Sequence, residues 1–160
     1  MTISVGDKIP SVELKTMTKD GPDNITTANI FTGKKVVIFG LPGAFTPTCS
    51  AKHLPGFVQH ANSIKNKGVD TIACISVNDV FVMGAWGKDQ NVKDSIMMLA
   101  DGSAEFAKAA GLELDLISRG MGVRCQRFSM IVDDGIVQSV NIDGGTFEKT
   151  SAEQTLSDLS

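Results

Sequence analysis

The chain has 160 residues, 42% of them apolar and 21% charged, with a formal net charge of −3 when its histidines are neutral. That is the size and composition of one soluble domain with a full core, expected to span residues 1–160. The mild negative charge gives no footprint for nucleic acid or an anionic membrane surface, and no apolar run approaches the roughly 20 residues of a membrane span. The first residues, Met1-Thr2-Ile3-Ser4-Val5-Gly6-Asp7, have neither the basic start nor the apolar core of a secretory signal. A cytoplasmic location is therefore expected, or an organelle where a transit peptide has been removed. Three cysteines are an odd number and too few for a disulfide scaffold. They fit a reducing compartment and one or more working thiols.

In chain order, Val5 to Pro10 reads as an irregular lead-in, and Val12 and Leu14 alternate as in a short strand. Lys19-Asp20-Gly21-Pro22-Asp23 has turn chemistry, so a second strand near Ile25 would close a hairpin. Ala28 to Thr32 predicts one helical turn ended by Gly33. Lys34 to Gly40 is a continuous apolar run, the pattern of a central strand covered on both faces. Leu54, Phe57, Val58, Ala61 and Ile64 share one helix face, with Pro55 set to interrupt that helix and Gly68 to stop it. Thr71 to Val77 predicts a second buried strand with Cys74 in its middle. Asn78-Asp79 can cap a helix running to about Trp86. A short strand over Ile96 to Leu99 and a helix over Ala104 to Ala109, ended by Gly111, come next. Gly120-Met121-Gly122 loosens the chain before a strand from Arg127 to Val132. Asp133-Asp134-Gly135 is a hairpin turn into Ile136 to Ile142, and Gly144-Gly145 reads as a loop. Ser151 caps a last helix, to which Glu153 adds first-turn negative charge. Strands alternating with helices, then a terminal hairpin, predict an α/β fold with a mixed sheet flanked by helices and an N-terminal hairpin.

The stretch Pro42-Gly43-Ala44-Phe45-Thr46-Pro47-Thr48-Cys49-Ser50 lies between the central strand and the following helix. Thr46 suits an N-cap and Pro47 the first helical position, which makes Cys49 the third helical residue. Unpaired backbone N–H groups and the positive end of the helix dipole there favour a thiolate, the nucleophilic form of cysteine. The spacing by itself leaves a second reading open, a small apolar side chain at a helix start.

Together with His53-Leu54-Pro55-Gly56-Phe57, this stretch resembles the active-site signature of the type II peroxiredoxins, the peroxiredoxin-five branch. Further matching segments are Cys74-Ile75-Ser76-Val77-Asn78-Asp79 with Phe81-Val82-Met83 and Trp86, then Leu99-Ala100-Asp101-Gly102-Ser103, then Arg127-Phe128-Ser129-Met130 with Asp133. The resemblance covers the chain from about the first strand to its end. It implies a thioredoxin-like fold and a thiol peroxidase acting on hydrogen peroxide and small alkyl hydroperoxides. It implies no metal, haem, flavin or other cofactor. It also implies a homodimer, with electrons from glutaredoxin and glutathione or from thioredoxin.

Carried over residue by residue, the resemblance makes Cys49 the peroxidatic residue, whose thiolate attacks the terminal peroxide oxygen and becomes a sulfenic acid as water or an alcohol leaves. Arg127 matches the active-site arginine, which would stabilise the thiolate and donate to the peroxide oxygens. Thr46 would hydrogen-bond thiolate or peroxide, and Pro42 would shield the sulfur from water. Read without the resemblance, Thr46 is only a cap and Arg127 an ordinary surface arginine. Arg124 competes with Arg127; strand alternation puts the two on opposite faces unless a bulge after Gly122 brings Arg124 into a supporting position. His53, four residues after Cys49, shares its helix face and could tune the thiolate or be a hydrogen-bonded structural histidine. A Cys49/His53 metal site lacks two further ligands. Phe45, Phe81 and Trp86 read as apolar packing around the pocket, and His60 as helix surface.

A sulfenic acid must be resolved. Cys74, 25 residues after Cys49, resembles the strand-borne resolving cysteine of plant and bacterial type II members, which forms an intramolecular disulfide. Mid-strand placement would require the turn around Cys49 to unwind. The Glu148-Lys149-Thr150-Ser151 region lacks the C-terminal resolving cysteine of animal-like members. Cys125, between two arginines, is a minor candidate for a reactive thiol. The other routes are direct attack by glutathione or glutaredoxin and, in a different class, a peroxide-sensing switch acting through a partner. A thiol–disulfide oxidoreductase is disfavoured, since Thr46 stands where a C-x-x-C motif needs cysteine.

Overall fold

A computed structural model describes residues 1–144 and 146–159; within the described chain, nine strands and five α-helices form two sheets and their flanking layers. The strands are β1 (Glu13–Thr18), β2 (Gly21–Thr26), β3 (Lys35–Leu41), β4 (Thr71–Ser76), β5 (Met97–Ala100), β6 (Glu113–Leu116), β7 (Gly122–Cys125), β8 (Arg127–Asp133) and β9 (Ile136–Gly144). The helices are α1 (Thr27–Phe31), α2 (Leu54–Lys65), α3 (Val80–Asp89), α4 (Glu105–Ala109) and α5 (Ala152–Asp158). The main sheet has the order β2-β1-β5-β4-β3-β8-β9. β3, β4 and β5 are parallel, and β1 and β8 join this centre antiparallel. The expected mixed sheet and N-terminal hairpin are both present.

The centre is apolar on both faces because helices cover both. Val37, Phe39 and Leu41 of β3, with Ile72 and Cys74 of β4, face one core shared with Phe57, Ile64, Trp86 and Cys49. Val36 and Ile38, with Ala73 and Ile75, face a second core shared with Phe31, Phe106, Phe128 and Cys125. The period of two along each strand makes this division. On the first face Phe39 and Phe57 stack with ring centroids 3.9 Å apart. On the second, Gly40 is a close-approach position, since a Cβ there would overlap the Phe128 ring. Gly40→Ala is expected to destabilise the protein by about 3 kcal/mol through overpacking, seen as a lower urea midpoint at unchanged slope.

Several boundaries differ from the sequence reading for local reasons. The first hairpin turns on Lys19-Asp20, and Gly21, Pro22 and Asp23 already belong to β2; an edge strand tolerates the proline. Helix α3 continues past Trp86 to Asp89, capped by the Asp79 carboxylate accepting from the Val82 N–H. A second, two-stranded sheet of β6 and β7 interrupts the chain where only a loosening at Gly120 and Gly122 was expected. Ser151 caps α5 as anticipated, its hydroxyl accepting from the Gln154 N–H. Glu153 does more than act on the helix end: it pairs with His60 at 3.0 Å. Gly144 closes β9 instead of lying in a loop, and Gly145 lies outside the described residues.

Candidate active site

β3 ends at Leu41 and delivers the chain into a loop held from two sides. The Asn78 side-chain oxygen accepts from the Ala44 N–H at 2.9 Å, and the Ser76 hydroxyl donates to that same oxygen at 2.6 Å. Phe45 sits at φ 64°, a left-handed conformation that a bulky residue adopts only when its surroundings hold it there. Helical residues begin at Pro47, so Cys49 is the third, as the spacing predicts. Thr46 precedes them, but its hydroxyl does not cap the helix. It donates to the Gly43 carbonyl at 2.6 Å, which leaves its oxygen lone pairs for another donor.

The helix around Cys49 is not a plain α-helix. Cys49–His53 form a π-helical turn in which the Leu54 N–H reaches the Cys49 carbonyl. Pro55 follows in the first turn of α2. Its missing N–H breaks the ladder as expected, and the break takes the form of this wider turn. The indole N–H of Trp86 donates to the Ser50 hydroxyl within the same turn at 3.0 Å.

Arg127, at the start of β8, is 4% exposed and reaches Cys49 from the strand paired with β3. One terminal nitrogen, Nη2, donates to Cys49 Sγ at 3.3 Å; the other, Nη1, donates to His53 Nδ1 at 2.9 Å. Its Nε–H is buried with no hydrogen-bond partner among the described residues. Phe147 lies over the guanidinium, with the ring centroid 5.7 Å from its central carbon.

His53 is fully buried, and its Nε2 lies 3.0 Å from the Thr150 carbonyl. A carbonyl only accepts, and the guanidinium only donates. The two bonds together therefore require a neutral imidazole with its proton on Nε2. Burial, and then the Arg127 charge, lower the His53 pKa to about 3, against a smaller pull upward from the Thr150 carbonyl and Asp143. His53 is thus hydrogen-bonded on both nitrogens and braces Arg127.

Arg124 and Arg127 belong to different strands of different sheets, so they are not separated by simple alternation. Arg124 donates through Nε to the Met121 carbonyl at 2.8 Å and through Nη1 to the carbonyls of Val77 and Pro42 at 3.4 and 3.5 Å. It ties the Pro42 loop to the β4–α3 connection. Pro42 itself is half-buried at the start of that loop.

Cys74 is buried in mid-strand on the core face that also holds Cys49. Burial pushes its thiol well above the ordinary pKa, and the neighbouring Cys49 adds to this. Cys125 faces the opposite core, and burial pushes its thiol up too, with Asp101 and Glu113 reinforcing the shift. The expectation that cationic neighbours would activate Cys125 is corrected: both arginines are directed elsewhere. Trp86 packs in the core as expected, but Phe45 and Phe81 are 53% and 65% exposed. Among the described residues, no group of three or more His, Cys, Asp or Glu converges to hold a metal ion. No helix among them is long and apolar enough to cross a membrane.

Three partners of the site escaped the sequence reading: Thr150, Phe147 and Asp143. Thr150 and Phe147 meet His53 from more than ninety positions further along the chain, and Asp143 acts on the site through Thr150, so no local spacing signals them.

A cysteine at a strand–helix junction under a distant arginine, on a mixed sheet flanked by helices, defines a thiol-active protein of thioredoxin-like architecture. The Redoxin family model matches residues 4–156. The chain is 48% identical to the chloroplastic peroxiredoxin-2E of Arabidopsis thaliana over 99% of its own length and 70% of that protein. It is 47% identical to Arabidopsis peroxiredoxin-2B over 98% of each. A crystal structure of reduced Prx3 from Vibrio vulnificus in complex with hydrogen peroxide shares 48% identity at a TM-score of 0.95, covering 99% of this chain and 100% of that one. The chain belongs to the peroxiredoxins, in the type II branch, and is a thiol-dependent peroxidase. Its substrate is a peroxide and its electrons come from a thiol reductant.

Proposed function

We propose that residues 1–160 form one peroxiredoxin domain in which Cys49 reduces the peroxide, Arg127 and Thr46 bind it, and Cys74 resolves the product. The observation that carries the assignment is the Arg127 guanidinium. It holds Cys49 Sγ, is braced by neutral His53, and keeps a buried Nε–H without a hydrogen-bond partner among the described residues. A buried donor left unpaired costs free energy of order 1–3 kcal/mol, and a peroxide oxygen beside Cys49 would satisfy it. Sγ attacks the terminal oxygen and the O–O bond breaks. Water or an alcohol leaves with one proton, and Cys49 becomes a sulfenic acid. The Thr46 hydroxyl oxygen, donating to Gly43, can accept from the hydroperoxide O–H and so orient it. Pro42, fastened by Arg124, shields the sulfur from water.

In the reduced fold the Cys74 thiol is enclosed and held protonated. Resolution by Cys74 therefore requires the π-helical turn to open. That turn combines i→i+5 bonding with the proline gap, which makes it the part of the helix with least backbone support. The sulfenic acid and Cys74 thiol then give a disulfide and water, and glutaredoxin with glutathione, or thioredoxin, reduces the disulfide. The same enclosure of Cys74 favours a second reading, in which an external thiol attacks Cys49 directly. Exposed Phe45 and Phe81, whose near neighbours in the chain, Ala44 and Asn78, are hydrogen-bonded to each other, offer an apolar surface beside the site for a homodimer. A reducing compartment, the cytoplasm or an organelle, suits three unpaired cysteines.

The test is intact mass and peptide mapping after one equivalent of hydrogen peroxide, on wild type and on Cys49→Ser, Cys74→Ser and Cys125→Ser. A Cys49–Cys74 disulfide, lost in either single variant and kept in Cys125→Ser, is the expected result. A sulfenic acid at Cys49 that persists unchanged in Cys74→Ser assigns resolution to the external thiol. Fast oxidation that survives Cys49→Ser rejects the site.

A further inference from the structure

We propose that Asp143, on β9, is a positioning residue for the peroxide reaction: by holding residues 146–150 in place it aims the Thr150 carbonyl at His53 and, through that ring, the Arg127 guanidinium at Cys49. The inference rests on the assignment of Cys49 and Arg127 made above.

One residue gathers almost every donor that this segment presents. The Asp143 carboxylate accepts from the Glu148 N–H at 2.9 Å, from the Lys149 N–H at 3.0 and 3.1 Å, and from the Thr150 hydroxyl at 2.7 Å. Its backbone carbonyl accepts from the Thr146 N–H at 3.3 Å and the Thr146 hydroxyl at 3.1 Å. Burial would raise the Asp143 pKa, but the hydrogen bonds from Thr150, Glu148 and Lys149 outweigh it and hold the carboxyl below its ordinary value. An ionised carboxylate is an acceptor on every lone pair, which this ring of donors demands.

What the segment carries goes directly into the site. Thr150 is fully buried, and its carbonyl is the partner of His53 Nε2. Phe147 lies over the Arg127 guanidinium and also packs against the His53 ring at 5.1 Å between centroids. The chain of contacts is therefore continuous: Asp143 carboxylate, Thr150 hydroxyl and carbonyl, His53 ring, Arg127 Nη1, then Arg127 Nη2 to Cys49 Sγ. Its sense is fixed by proton inventory. If the Thr150 carbonyl moves away, the His53 proton is no longer held on Nε2. A proton on Nδ1 would then face the Nη1–H of Arg127, donor against donor, and the guanidinium would swing off Cys49.

The test compares wild type with Asp143→Asn, which keeps the volume but loses the charge and an acceptor oxygen, and with Thr150→Val, which removes only the hydroxyl. The expected result for Asp143→Asn is a fall of about tenfold in kcat/KM for hydrogen peroxide, below the roughly hundredfold cost of an ångström of misplacement. Alkylation of Cys49 by iodoacetamide at pH 7 should slow in parallel. Imidazole nitrogen NMR should show the His53 signals change from a single Nε2–H tautomer to a mixture. In an Arg127→Gln background, Asp143→Asn should add less than a twofold loss, because it acts through Arg127. An unchanged His53 tautomer, or a loss that adds in full to Arg127→Gln, overturns the proposal. If Asp143→Asn does not fold, Thr150→Val decides: a tautomer mixture supports the relay and an intact single tautomer overturns it. Failure of peroxide to block alkylation of wild-type Cys49 would sink the site assignment instead, a result separate from the His53 signature.

Discussion

Arg127→Gln is expected to lower the second-order rate constant for hydrogen peroxide by about a thousandfold, or about 4 kcal/mol of transition-state stabilisation. The guanidinium is nearly sealed from solvent, in surroundings where a charge acts with little screening. It touches the sulfur with one nitrogen and is held by His53 with another, so its position is set before the substrate arrives. The remaining Nε–H has no hydrogen-bond partner among the described residues and can meet charge developing on the leaving oxygen. Glutamine retains a donor but no charge and cannot reach all three points. Arg127→Lys should recover less than tenfold of the loss, because an ammonium cannot bridge sulfur, imidazole and peroxide in one plane. Trp86 provides the readout. It is the one tryptophan of the sequence, and its indole is bonded to Ser50 beside Cys49. Stopped-flow fluorescence under excess peroxide would give the rate directly. A loss below tenfold in Arg127→Gln would remove the arginine from the chemistry.

Acid should destabilise the protein through His53. The folded-state pKa is about 3, against 6.5 in the unfolded chain. Between those values the unfolded state binds a proton that the folded state refuses, so stability falls as pH falls. The contribution is fully present above pH 6.5 and is lost progressively toward pH 3, at about 1.4 kcal/mol per pH unit and on the order of 5 kcal/mol in all. The cause is structural. A protonated ring would place a positive charge and a second N–H against the guanidinium of Arg127, with both side chains buried. His53→Gln keeps a donor and an acceptor and removes the titration. Urea unfolding from pH 7 to pH 4 should show a steep loss of stability in wild type and a clearly shallower one in His53→Gln. Parallel slopes would mean that His53 is not the group that titrates.

Much of this protein was legible from local pattern. The central strand, the two hairpins, the Asp79 and Ser151 caps and the position of Cys49 in the first helical turn depend on residues within a few positions of one another. Turn chemistry, period-two or period-3.6 burial and capping act at that range. The family resemblance came from the same kind of signal, a long motif contiguous in the chain. The second sheet did not show itself. Glu-Leu-Asp-Leu and Gly-Val-Arg-Cys are short, mixed segments with no strong alternation, and they become strands only because they pair with each other. Nor did the exposure of Phe45 and Phe81: aromatic residues near a pocket look like packing until the helices leave them outside.

The sequence by itself determined the α/β class, the family and the place of Cys49 in the first helical turn, and the resemblance singled out the arginine that lies against it, because each rests on short-range spacing or a contiguous motif. Only the tertiary structure decided what Arg127 holds, which tautomer His53 carries, that the Thr46 hydroxyl turns back to Gly43, and that Cys125 is enclosed in the opposite core. Those features depend on the sheet order, which sets β8 beside β3, and on packing that brings Phe147 and Thr150 against His53, more than ninety positions earlier in the chain. Burial then fixes charge and proton placement, and burial is a property of the packed whole and of no single segment.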